Sequence, residues 1–164
     1  IISLNNFMKK NINIIITLLS FTFLISCGFE KVYKKDRGSI YIESLKIEGP
    51  KRNSYTLKNN ILLISDENSD NKYRIKLKLK KNKNSKIKNM KGQVTRYNTS
   101  IKVIMDLENL RSSEIISKSF EENADYDVQK KYSDTIVNEN NATLNIIQKL
   151  SDNIVNFITI SVGN

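Results

Sequence analysis

The chain has 164 residues, 27 lysines and arginines against 17 aspartates and glutamates, and a formal charge of +10. It has no histidine, no tryptophan and one cysteine. Histidine is the side chain best suited to proton transfer near neutral pH and the commonest metal ligand. Its absence removes serine–histidine and cysteine–histidine nucleophile arrangements and most zinc sites, so a non-enzyme is expected.

Met8, Lys9 and Lys10 read as the true start of a secretory signal, with residues 1–7 upstream of it. Ile12 to Ile25 carry no charge, and Leu24-Ile25-Ser26-Cys27 closes the run with a small residue before the thiol. A cationic end, a short apolar core and small residues at the cut are the order an export signal needs. A spanning helix needs ~20 apolar residues, so this run is short for one. The ending resembles the bacterial lipobox, which implies cleavage before Cys27, acylation of its thiol and of the new amine, and a lipid-anchored mature chain. The expected organisation is a signal at 1–26, a lipidated tether at 27–39 and one domain at 40–164. Loss of Lys9 and Lys10 lowers the charge from +10 to +8. That balance favours an anionic partner: phosphate-bearing lipid, a membrane surface or nucleic acid. Export makes nucleic acid the poorest of the three. Lysine, asparagine and isoleucine are abundant and arginine numbers only five, which an AT-rich genome would also produce.

Along the mature chain, Ile40-Tyr41-Ile42 and Leu45-Lys46-Ile47 predict a first strand whose apolar phase slips near Glu43-Ser44, the mark of a bulge. Gly49-Pro50 breaks it. Asn53 or Ser54 is the expected cap of a helix with the stripe Leu57, Ile61 and Ile64. Tyr73, Ile75, Leu77 and Leu79 then alternate with Arg74, Lys76, Lys78 and Lys80, a period of two that sends the two sets to opposite faces. Lys81 to Gly92 reads as a polar hairpin loop. A third strand carries Tyr97, Ile101, Val103, Met105 and Leu107 inward, and Arg96, Asn98, Ser100 and Lys102 outward. Ile116, Phe120, Ala124 and Tyr126 mark a fourth strand. From about Ser133, Leu144, Ile147, Leu150, Ile154 and Phe157 recur at helical spacing. The order β-α-β-β-β-α predicts a two-layer α+β domain, with both helices covering one face of a four-stranded sheet.

Three carboxylate pairs, Asp66 with Glu67, Glu121 with Glu122 and Asp125 with Asp127, read as solvated loop or strand-end charge. The acidic turn from Asp66 lacks the glycine and closing glutamate of a calcium loop. No metal, cofactor or catalytic residue is expected.

Cys27-Gly28-Phe29 followed by Tyr33, the run Leu57-Lys58-Asn59-Asn60-Ile61 after Arg52, Thr95-Arg96-Tyr97 and Ala124-Asp125-Tyr126-Asp127-Val128 together resemble the LPS-assembly lipoprotein family (LptE-like). Lys31 and Val32 stand where that family has Pro-Leu. The resemblance implies a non-catalytic outer-membrane lipoprotein, lipid-anchored on the periplasmic side. Such a protein plugs a large LptD-like β-barrel, helps it assemble and handles lipopolysaccharide. Gly28, in place of aspartate after the acylated cysteine, favours sorting to the outer membrane. Between Arg74 and Lys91 there are nine cations and no acid. Lys78, Lys80, Lys81, Lys83, Lys86, Lys88 and Lys91, with Arg96, are therefore the expected lipopolysaccharide-binding residues, acting on lipid A and core phosphates by Coulomb attraction. The competing readings are a solvated basic surface, an accessory lipoprotein of another envelope machine such as an ABC-transporter auxiliary protein, and a lipid-anchored hydrolase.

Overall fold

The structure, a computed structural model, describes residues 39–162. The expected signal and the lipidation position Cys27 lie outside the described residues. The elements are β1 (Tyr41–Glu48), α1 (Lys51–Leu62), β2 (Lys72–Lys88), β3 (Val94–Asn109), β4 (Ile115–Asp127) and α2 (Tyr132–Val162). They form one sheet in the order β1-β2-β3-β4, with β1 parallel to β2 and the other pairs antiparallel. The expected α+β order is therefore observed, and the register shift between Ile42 and Ser44 is the anticipated bulge.

Alternation along each strand builds the core. Ile75, Leu77 and Leu79 of β2, with Ile101, Val103, Met105 and Leu107 of β3, are buried on one face. Leu57 and Ile61 of α1 and Ile146, Ile147, Leu150, Ile154 and Ile158 of α2 close over them. Burying a side chain of this size contributes roughly 1.5–3 kcal/mol, so these rows hold the two layers together. On the helix side of β4, Phe120 meets Phe157 of α2 edge to face at 5.8 Å.

Three local expectations are corrected. α1 begins at Lys51 directly after Gly49-Pro50, with Pro50 at the cap position and no side-chain capping bond from Asn53 or Ser54. The fixed proline φ already suits a helix start, so the helix needs no later cap. Leu144 is exposed, and Ile158 takes a fully buried place instead. The segment from Lys81 to Lys88 is strand rather than loop, and β2 runs through it paired to β3. Backbone pairing to a long partner strand overrides the weak strand preference of lysine and asparagine. The true turn is only Asn89–Gln93.

Gly49 is required where β1 turns into α1. Its φ is +149°, and a Cβ there would stand 2.8 Å from the Leu79 carbonyl oxygen. A clasp also holds the start of β1. The Tyr41 amide donates to the Asn71 carbonyl at 2.8 Å, and the Asp66 amide to the Ile40 carbonyl at 2.7 Å. The Ile42 amide donates to Ser65 Oγ at 3.0 Å, and Ser69 Oγ donates to the Ser39 carbonyl at 2.5 Å.

Candidate functional site

The strand period that fills the core leaves the opposite face of the sheet polar, and no helix covers it among the described residues. Lys46 of β1, Lys76, Lys78 and Lys80 of β2 and Lys102 of β3 are all exposed there. None of the five forms an ion pair within 4.0 Å among the described residues. Their cross-strand neighbours are of both signs: Lys76 is in register with Asp106, Lys78 with Glu48 and Lys102 with Glu121. Lys46 sits beside Lys76, and Lys80 stands directly opposite Lys102. Like charges in neighbouring cross-strand positions repel and the adjacent acids offset part of that cost, while the five ammonium groups, none in an ion pair among the described residues, stay open to a bound anion. Toward the core end of the same face Arg74 is neutralised, 3.1 Å from Glu108 and 3.7 Å from Glu43.

The expected basic residues do not form one surface. Lys78 and Lys80 lie in the open-face patch. Lys81 and Lys83 project to the helix side, where both reach Glu139 of α2, at 2.9 and 2.7 Å. Tyr126 donates its hydroxyl to the same carboxylate at 3.0 Å, and Lys81 also bonds Thr143 Oγ1 at 3.1 Å. The Lys83 ammonium lies 4.4 Å from the centre of the Tyr97 ring, which stacks on Tyr126 at 5.7 Å. Burial pushes the Glu139 carboxyl up, but hydrogen bonds from Lys83, Lys81 and Tyr126 outweigh it and hold the group at about 2. Burial lowers the Lys83 ammonium, and its bonds to Glu139 and Tyr126 raise it above the ordinary lysine range. This cluster is a clamp between α2 and the far end of the sheet, in which one carboxylate is shared by two ammonium groups and one net positive charge is left over.

Lys86 pairs with Asp125, and Arg96 Nε lies 2.6 Å from Asp127 on the open face. The Asn98 amide and Lys86 hold Asp125 below the usual carboxylate range, and Arg96 does the same for Asp127. Lys88 and Lys91 stand exposed at the hairpin end, with no ion pair among the described residues. Sequence reasoning misses Glu139 as a partner. The available signal is its spacing from Thr135, Thr143 and Ile146, which sets a carboxylate on the buried stripe of α2.

Nothing in the geometry joins the carboxylate pairs into a reacting group. Glu121 and Glu122 occupy successive positions of β4, so they face opposite sides of the sheet. Asp66 accepts the Asn68 amide within its own turn. Among the described residues no group of three histidine, cysteine or acidic side chains could hold a metal ion, and no helix is long and apolar enough to cross a membrane.

The arrangement defines a class: a two-layer α+β domain that leaves one sheet face open and lined with charged side chains. Solved structures share that fold. Lipoprotein B of Nitrosomonas europaea is 15% identical with a TM-score of 0.55, over 83% of this chain and 94% of that one. A minor lipoprotein of Acinetobacter baumannii is 17% identical with a TM-score of 0.51, over 75% and 94%. A lipoprotein of Caulobacter crescentus is 13% identical, also at 0.51, over 74% and 88%. At these identities the likeness is one of fold. No family model and no curated protein matches the sequence.

Proposed function

We propose that the chain is a lipid-anchored outer-membrane subunit of a lipopolysaccharide translocon, seated in a large LptD-like β-barrel and acting by binding rather than catalysis. The observation that carries this reading is the open sheet face. Lys46, Lys76, Lys78, Lys80 and Lys102 lie together there, on the side the helices leave free, without an ion pair within 4.0 Å among the described residues, although Glu48, Asp106 and Glu121 stand in register beside three of them. Lipopolysaccharide phosphates would pair with these ammonium groups, and each lysine would act as a point charge without the forked geometry of arginine. The lipobox-like ending at Cys27 supports the anchor, and the shared fold of three lipoproteins agrees with it.

The test is affinity purification of the full-length chain from solubilised envelopes. Co-purification of a large outer-membrane β-barrel is the expected result. Recovery of an inner-membrane permease in its place would assign the chain to an ABC-transporter auxiliary role and refute the translocon reading.

A further inference from the structure

The turn at the end of the β2–β3 hairpin is organised to hold an apolar side chain in water. β4 ends at Asp127 opposite Arg96 and the Val128 amide still reaches the Thr95 carbonyl, so from Lys88 to Val94 the hairpin continues as two strands and a turn without a third strand beside it. Asn89 locks that turn. Its Oδ1 accepts the amides of Lys91 and Gln93, both at 3.0 Å, and its Nδ2 donates to Gln93 Oε1 at 2.9 Å. The backbone adds bonds from the Asn89 amide to the Gln93 carbonyl and from the Gly92 amide to the Asn89 carbonyl, each 2.9 Å. Gly92 takes φ +79°, a conformation that L side chains rarely adopt. At the apex of this tied turn Met90 is fully exposed, and Ile87 behind it is half-exposed. Lys88 and Lys91 flank them, and the sequence contains no acid between Asp70 and Asp106.

We infer that this tip is an insertion point for an anionic phospholipid bilayer, independent of what the open sheet face binds. The order of chemistry along the hairpin matches the layers of such a surface. A thioether apex can enter the outer hydrocarbon while the two ammonium groups behind it stay at phosphate depth. Lys86, one step further back, is already neutralised by Asp125, so the free charge is confined to the collar. Methionine is flexible and polarizable, which suits a fluid environment better than a shaped protein pocket. A single apolar apex binds weakly by itself, and attachment of the same chain to a membrane would supply the local concentration it needs.

The chain has no tryptophan, so Met90→Trp places one reporter at the apex. The variant full-length chain, reconstituted in vesicles, should show blue-shifted emission quenched by brominated acyl chains when phosphatidylglycerol is abundant. Tyr55→Trp, which puts the reporter at an exposed position of α1, should stay water-like in the same vesicles. Adding Lys88→Glu and Lys91→Glu to Met90→Trp should reduce the membrane-inserted fraction by roughly tenfold or more, given the contribution of each lysine near an anionic leaflet. Emission from the Met90→Trp protein that matches emission from the Tyr55→Trp protein would overturn the inference. So would equal quenching in neutral phosphatidylcholine vesicles, or quenching that survives both charge reversals.

Discussion

Replacing Glu139 by glutamine keeps the shape of the side chain and removes the charge that Lys81 and Lys83 share. In the folded protein the carboxyl sits at about 2, against 4.5 for an unperturbed glutamate. One unit corresponds to about 1.4 kcal/mol, so the shift is worth about 3 kcal/mol at most. The Lys83 side chain is 38% exposed, and solvent screening reduces the figure to about 1–2 kcal/mol. Because the folded value is depressed, the contribution is complete above pH 4.5 and is lost as pH falls from there toward 2. Glu139→Gln should therefore lower stability at neutral pH by about 1–2 kcal/mol, a melting-temperature drop of roughly 3–10 °C. The difference from the unmodified protein should shrink through the acid window and vanish near its lower end. Urea unfolding followed by circular dichroism at several pH values measures both quantities. A variant within ~0.5 kcal/mol of the parent at neutral pH, with a parallel profile into acid, would refute the clamp.

Gly49→Ala should destabilise the domain by about 1–3 kcal/mol, since the new methyl meets the Leu79 carbonyl at 2.8 Å on a backbone with positive φ; calorimetry would detect it. Reversing Lys76, Lys78 and Lys80 to glutamate together should weaken lipopolysaccharide binding while circular dichroism stays native, and binding by the parent should decline as salt screens exposed charge beyond ~8–10 Å. Unchanged affinity would reduce the patch to a solubilising surface. Mass spectrometry of membrane-extracted protein should find an acylated peptide beginning at Cys27, and Cys27→Ser should no longer float with outer membranes. Tyr126→Phe removes one bond to Glu139 and should cost about 0.5–1.5 kcal/mol by the same urea assay.

The alternation of Tyr73, Ile75, Leu77 and Leu79 with four cations reveals both the strand and its buried face, because a period of two has only one interpretation on a half-covered sheet. Past Leu79 the apolar member of the alternation disappears, and the strand becomes illegible although it continues to Lys88. What sustains it is pairing to β3 residues up to Val94, a long-range cause that local composition does not display. For the same reason Lys81 and Lys83 look equivalent to Lys78 and Lys80 in the sequence. One step of parity, which matters only if the strand continues, sends them to the opposite face. In α2 the spacing identifies a stripe but not its centre. A helix of 31 residues presents several overlapping three-four series, and Leu144 belongs to a neighbouring one. Asp125 and Asp127 are legible as strand-end charge, while their cationic partners Lys86 and Arg96 depend on cross-strand register.

The clasp at the start of β1 determines how a pull on the N-terminal side would travel through the domain. Ser39, Ile40, Tyr41 and Ile42 are tied to Ser65, Asp66, Ser69 and Asn71, residues of the connection between α1 and β2. Tension entering at Ser39 is therefore shared with that connection before it reaches the β1–β2 ladder. An edge strand with one neighbour would otherwise be the easiest element to peel away. Several short hydrogen bonds at one end act as a strain relief, like the grip where a cable enters its housing. A domain restrained through its sheet face and pulled at Ser39 thus keeps β1 in register, because the load reaches the β1–β2 ladder only after the clasp has taken its share.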